Sequence, residues 1–191
     1  MAQILGVEKV IFATRTQEGD EPELDSQMRK AGIEIRRLRP NYSIGAESLL
    51  IKELLGKEIP KGHYPPDVGV VVNNVGTALA VYHAIYQGWP LVSRGMTFYS
   101  KKTGGKNLWA RMGTPISRVL DYVGANQEDF NQIVMGSIFM GTSITDVDSP
   151  ILKATTAITA LTSAESDPYE KSVPCIRCNY CNVVCPVEIY P

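Results

Sequence analysis

Four cysteines carry the most chemistry in this sequence. They form the run Cys175-x2-Cys178-x2-Cys181-x3-Cys185-Pro186, and no residue before position 175 is a cysteine. A disulfide scaffold spreads its cysteines so that bridges close long loops, and this distribution does the opposite. Two residues between successive thiolates let a tight loop wrap one corner of an iron–sulfur cubane at a time, leaving backbone amides to point at sulfide. The fourth cysteine is carried away from that cluster. In two-cluster modules it ligates the other one, and the proline after it ends the loop. The spacing therefore predicts [4Fe–4S] ligation by Cys175, Cys178, Cys181 and Cys185. A structural zinc site is the rival reading, although zinc typically takes two separated pairs rather than a compact triple. Four unligated thiols are the plainest alternative. No second cysteine run completes either cluster, so the sequence reads as part of a longer module, with clusters absent or labile in this piece.

The rest of the chain must position that segment. With 19 Lys+Arg against 20 Asp+Glu in 191 residues, the formal charge is −1. That balance excludes a bulk attraction to nucleic acid or to an anionic membrane. A content of 44% hydrophobic and 20% charged residues is that of a globular chain with room for one large core or two small ones. The most apolar stretch, Val68 to Tyr86, contains Asn73, Asn74 and His83, so no clean membrane span is present. Residues Met1 to Glu8 have neither the basic lead nor the apolar core of a secretory signal.

The first 92 residues alternate between strand-like and helix-like stretches. Lys9–Ala13 and Ile33–Leu38 read as strands, Glu23–Ala31 as a helix ended by Gly32, and Ala46–Leu55 as a helix closed by Gly56. Val68-Gly69-Val70-Val71-Val72 is apolar on both faces and predicts a central strand, followed by a helix from Thr77 to Gly88. Such alternation predicts a parallel α/β layer. After Pro90 come two β-like runs, Leu91–Ser100 and Lys106–Met112, joined by a Lys/Gly turn. Thr114 then caps a helix with Pro115 at its first position and a stripe of Ile116, Val119, Leu120 and Val123. A strand over Gln132–Phe139 follows, and this set suits a small β-grasp module. Thr155–Ser163 is small and Thr/Ala-rich, and Ala164–Pro168 reads as a linker to the cysteine segment. The expected domains are thus 1–92, 93–153 and 154–191.

Several blocks together resemble a known family. Asp67 to Ala78, Arg111 to Ile116, Val134 to Gly141, and Pro174-Cys175-Ile176-Arg177-Cys178 are similar to segments of RnfC, the C-type component of the Rnf electron-transport complex, in the same order. That family is related to the NADH-binding flavoprotein subunit of respiratory complex I. The resemblance implies a partial Rossmann-like domain for FMN and NADH, then a β-grasp soluble-ligand-binding (SLBB) domain, then the start of a ferredoxin-like [4Fe–4S] segment. It also implies that Glu47 lies near flavin and nicotinamide and that Asn73 and Asn74 touch FMN. Amides at the C-terminal edge of a parallel strand, before a helix, suit a phosphate or a polar flavin edge. An Asn-Asn strand exit that simply caps the next helix is the alternative for the same residues. The implied setting is cytoplasmic and peripheral to the inner membrane of a bacterium. Partners would be other components of a membrane complex and ferredoxin or a similar carrier.

The sequence departs from the family in two places. No glycine-rich flavin- and NADH-binding loop precedes the match, and Gly136-Ser137-Ile138 stands where relatives have a Gly-Gly-Pro turn. This polypeptide alone is therefore expected to bind neither FMN nor NADH tightly. A non-redox reading is a docking or quinone-binding adaptor resembling NqrA, a component of the sodium-translocating NADH:quinone reductase. A soluble relative that feeds a reductase is a third. His63 and His83 lack a nucleophile at a recognisable spacing, and no acid–base catalyst is nominated. Lys101, Lys102 and Lys106 read as a solvated hairpin tip, Trp89 and Trp109 as core or inter-domain anchors, and Glu18, Asp20, Glu21 and Glu23 as a wet acidic loop.

Overall fold

The computed structural model describes residues 2–17, 19–166 and 174–185. The chain divides into two compact units, Met1–Asn74 with Ile176–Pro191, and Val75–Cys175. In the first, α1 (Ala2–Leu5) leads to β1 (Ile11–Thr14), α2 (Pro22–Lys30) and β2 (Glu34–Arg37). The strands pair in parallel, Ile11 opposite Glu34 and Thr14 opposite Arg37. A parallel pair needs a crossover, and α2 supplies it. Pro22 opens this helix where a missing N–H costs nothing. Glu23 and Asp25 in the first turn and Arg29 and Lys30 in the last suit its dipole. Asp25 pairs with Arg37 of β2 at 2.5 Å, with side chains only 14% and 22% exposed, and fastens helix to strand. α3 (Glu47–Leu55) follows a 3-10 turn at Ser43–Gly45 and stops at Gly56, whose φ of +65° favours glycine. Ile51 of α3 is this unit's one buried apolar side chain among the described residues.

The strand expected over Val68–Val72 does not form. Pro65–Val68 is instead a 3-10 turn, closed by the Tyr64 N–H to the Asp67 carboxylate at 2.9 Å and the Gly69 N–H to the Pro66 carbonyl at 2.9 Å. Gly69 is left-handed, and residues 70–74 lie outside every strand. An extended run becomes a strand only where a neighbour satisfies its backbone groups, and the sheet here holds β1 and β2 alone.

The second unit opens with α4 (Val75–Gln87) and continues as β3 (Ser93–Ser100), β4 (Gly104–Arg111), α5 (Ile116–Val123), β5 (Gln132–Met135), β6 (Thr142–Ile144), β7 (Ala157–Leu161) and α6 (Ser163–Ser166). Its sheet runs β4-β3-β7-β5-β6, with β3 and β7 parallel and the other pairs antiparallel. First and last strands lie side by side at the centre, the β-grasp arrangement. Met96, Phe98, Ala110, Ile133, Ile158 and Ala160 from the sheet pack against Ile116, Val119, Leu120 and Val123 of α5. The 3.6-residue period of α5 and the two-residue period of β3 thus bury the faces their sequences predict.

The details correct several expectations. Pro115 is the N-cap residue of α5 rather than its first turn, and it forms an isolated bridge with Pro150. β5 stops at Met135, because Gly136 turns the chain with φ of +113°. A Cβ on Gly136 would come 2.9 Å from the Gly141 Cα, and one on Gly141 would lie 2.4 Å from Val134 Cγ1. The Thr/Ala-rich stretch Thr155–Ser163, assigned no element from sequence and placed beyond the expected 93–153 domain, supplies β7, the central strand of that domain's sheet, because small residues let α5 and both neighbouring strands close on it. Trp89 and Trp109 are 63% and 62% exposed and are not core residues. Trp109 lies on the outer sheet face over Gly95 and donates Nε1–H to Ser93 Oγ at 2.7 Å. Trp89 stacks on His83. Lys102 pairs with Asp129 at 2.7 Å, and Lys106 donates to the Val123 carbonyl at 2.6 Å, so the basic hairpin clamps the end of α5. Glu18, Asp167 and Pro168 lie outside the described residues.

Replacing fully buried Phe98 by alanine is expected to cost about 3–5 kcal/mol in urea unfolding. The neighbouring exposed Tyr99→Ala should stay within about 1 kcal/mol.

Candidate functional site

The predicted residues fall on two segments. Glu47 is the first residue of α3 and is exposed. The turn that presents it is held by Asn41, whose Oδ1 accepts the Ser43 N–H at 3.2 Å and the Ser43 hydroxyl at 2.9 Å. A carboxylate at a helix start is favoured by the dipole, which explains Glu47 locally without any ligand. At the far end of α3, Lys57 donates to the Val68 carbonyl at 2.9 Å, and α3 packs against the Pro65–Val68 turn. Asn73 and Asn74 follow that turn. They are exposed and lie in an irregular segment rather than at the C-terminal edge of a strand. A nine-residue helix is about 13 Å long, so Glu47 and Lys57 mark opposite ends of one rod. The three residues thus share a unit. A shallow open depression lies elsewhere, lined by Glu21, Pro22, Glu23, Leu24 and Gln27. Its acidic rim repels a phosphate-bearing cofactor. These residues offer amide and carboxylate groups of the right kind for flavin, but by themselves they do not fit a complete FMN cradle.

The cysteine segment is built differently. Cys175, Cys178 and Cys181 are exposed and Cys185 is half-buried. Arg177 and Asn179, on either side of Cys178, have φ of +57° and +60°. Left-handed backbone is costly for a side chain with a Cβ, and such residues concentrate at ligand-holding loops. Asn179 caps α7 (Tyr180–Val184), and its Oδ1 accepts the Asn182 side-chain amide at 2.5 Å. α7 then places Cys181 in its first turn and Cys185 at its C-cap, a four-residue separation that brings two thiols to one side of a helical turn. Among the described residues no three His, Cys, Asp or Glu side chains gather within metal-holding reach. The donor set fits an iron–sulfur cluster in kind and number. Pro186 lies outside the described residues. Sequence reasoning missed the left-handed pair. Asparagine's tolerance for that conformation is a faint signal at position 179, and Arg177 offers none.

Three carboxyl groups are held below the usual glutamate range. In Glu34, at the start of β2, the Lys9 ammonium 2.9 Å away is the first cause and Arg36 the second. Lys52 lowers Glu58. The Thr162 hydroxyl at 2.7 Å and then its backbone N–H lower Glu165 at the entry to α6. None of these groups is a predicted ligand. They are fixings of the scaffold.

Residues 1–83 match the family model of the Nuo51 FMN-binding domain. The C-type component of the ion-translocating oxidoreductase complex of Erwinia tasmaniensis is 36% identical over 197 residues, covering 100% of this chain and 24% of the relative. Its counterpart in the proton-translocating ferredoxin:NAD(+) oxidoreductase complex of Clostridium ljungdahlii is 35% identical over 198 residues, covering 99% of this chain and 42% of that protein. The corresponding Rhodobacter capsulatus protein is 34% identical over 195 residues, covering 100% and 37%. The chain is homologous along its whole length to part of RnfC, and it spans between about a quarter and two-fifths of these relatives. No helix among the described residues is long and apolar enough to cross a membrane.

The Glu34 carboxyl should titrate below an ordinary glutamate by NMR, and Lys9→Ala should move its midpoint upward. The sign follows from the depressed folded value. The stabilisation is present above the unfolded glutamate pKa and is lost as pH falls through the folded one.

Proposed function

We propose that the chain is part of an electron-transfer component of an Rnf-like complex, relaying electrons between FMN/NADH and [4Fe–4S] clusters in an NADH:ferredoxin-type oxidoreductase. The observation that carries this reading is the four-cysteine run on a loop with left-handed residues on both sides of Cys178, in a chain homologous to RnfC. In this reading 1–92 is the Rossmann-like flavin portion; the SLBB-type β-grasp domain expected over 93–153 extends through β7 to residue 161, because β7 is the central strand of its sheet, and the linker and start of the cluster segment follow. Cys175, Cys178, Cys181 and Cys185 would hold the cluster, which when bound supplies one-electron transfer. The chain's own contribution is to ligate it and to set its potential through burial and amide hydrogen bonds. Glu47, Asn73 and Asn74 are assigned to the flavin side of the full protein, where further chain would complete the cradle. Its partners are the other components of a membrane complex and ferredoxin or a similar carrier, on the cytoplasmic face of a bacterial inner membrane.

The adaptor reading, with quinone or a docking partner as ligand, is disfavoured by the intact cysteine run, which an adaptor has no chemical reason to hold at this spacing. The two readings separate in one experiment. Anaerobic reconstitution of a polypeptide extended on both sides of this segment should yield iron and acid-labile sulfide in equal amounts and an EPR signal on reduction. Cys178→Ser or Cys181→Ser should lower the iron content at least several-fold. An extended polypeptide that takes up no iron under these conditions contradicts the redox reading. This chain alone should retain no FMN through purification, and one flavin per chain would refute the assignment of the cradle to further sequence.

A further inference from the structure

The β-grasp sheet has one end with a composition of its own, the end where β5 turns into β6. Ile138, Phe139 and Met140 of that turn are 53%, 75% and 83% exposed, and exposed Val92 and Leu152 precede β3 and β7 at the same end. The register brings these segments together. Ser93 pairs with Arg111, Thr97 with Ala157, and Met135 with both Ile158 and Thr142. Past the strand ends, the Met112 N–H reaches the Val92 carbonyl and the Gly113 N–H the Ile151 carbonyl, both at 2.9 Å. Arg94, Arg111 and Lys153 lie at this end, and Arg94 donates to the Lys153 carbonyl. No acid accompanies them, since no Asp or Glu occurs over 68–120, 130–145 or 149–164. Asp148, which precedes this last run, instead accepts the Ser117 hydroxyl of α5 at 3.2 Å. Arg111 and Lys153 are exposed and pair with no other described residue. A chain of net charge −1 thus gathers a purely cationic collar around an apolar tip. The tip is held in shape by the Gly141 N–H to the Ser137 carbonyl at 2.7 Å and by the Thr159 hydroxyl to the Gly136 carbonyl at 3.2 Å.

We propose that this end of the sheet contacts an anionic lipid bilayer: Phe139 and Met140 enter the headgroup layer, while Arg94, Arg111 and Lys153 meet its phosphates. Shape and charge select that occupant. Three consecutive apolar side chains on a tight turn form a projecting tip, which a flat protein face does not cover but a fluid layer closes around. Cations beside such a tip add attraction that acts only within about a Debye length of the surface, so a local collar works where the near-neutral whole does not. Arg111 and Lys153, unpaired with any other described residue, supply that complement. A second copy of this chain fits less well, because it would set one collar against another and the like charges repel. The inference deepens the membrane-peripheral placement proposed above and rests on that placement alone, without the cofactors.

The test sediments this chain with vesicles of phosphatidylglycerol and phosphatidylethanolamine, and separately with vesicles of phosphatidylcholine alone. Binding to the anionic vesicles is expected, stronger than to the neutral ones and weakening as salt rises. Phe139→Ser should weaken it about tenfold, and Lys153→Glu about fivefold. Both should leave the circular dichroism of the free chain unchanged, since both residues are exposed. Tyr122→Ser, exposed near the C-terminal end of α5, should bind like the parent. No binding to the anionic vesicles, equal binding to both kinds, or binding indifferent to Phe139→Ser would each overturn the proposal. Self-association that Phe139→Ser abolishes would assign the tip to a second copy and overturn it as well. No outcome depends on flavin or iron, so failure here leaves the redox reading standing, and failed cluster reconstitution leaves vesicle binding unchanged.

Discussion

Phe98 and Ile158 face each other across the parallel pair at the centre of the second sheet, and neither exposes any surface. That pairing is non-local, joining residues sixty positions apart, and it is what turns a hairpin, a helix and a returning strand into one core. Ladders on both flanks of β7 fix its register, and that register sets which side chains meet α5. The hairpin tip, the α5 end and the turn around Gly136 are then fastened by short-range bonds that would be worth little on an exposed surface alone. Gly136 and Gly141 are obligatory because the backbone folds onto itself and onto Val134, with no room for a Cβ.

The first unit rests on weaker support. Two short parallel strands, one crossover helix and, among the described residues, a single buried isoleucine provide little apolar burial for a segment of this length. Its order comes from local devices: the Asp25–Arg37 pair, the Glu34 pairs with Lys9 and Arg36, the Asn41 turn and the Pro65–Val68 turn. Val70–Val72 and the apolar residues of α4 have the composition of buried elements, and none is buried.

Much of this was legible in the sequence wherever period and punctuation agreed. The stripe Ile116, Val119, Leu120 and Val123 is buried as its spacing requires, and Gly56 and Gly124 end their helices in the left-handed form. β7 was illegible because a central strand of Ala, Ile, Thr, Ala and Leu is selected by tight packing, and small size gives no periodic signal. The Val68–Val72 strand fails because its pattern reports what the segment needs, while strand formation depends on neighbours elsewhere in sequence. Both tryptophans mislead for a related reason. A large apolar ring suggests a core, yet Trp109 covers Gly95 on an outer face and Trp89 stacks on a helix end. Of the candidate site, the thiol spacing was readable directly. Glu47, Asn73 and Asn74 stood out only through family resemblance, since each has an ordinary capping or surface role in isolation.

The thiol spacing and the left-handed residues beside Cys178 meet in the cysteine loop. Native mass spectrometry of a polypeptide extended on both sides of this segment, purified without oxygen, reads the mass held at these thiols directly. The account predicts increments of four irons and four sulfides that vanish in the Cys178→Ser variant. A single zinc, or a bare polypeptide mass, would contradict it.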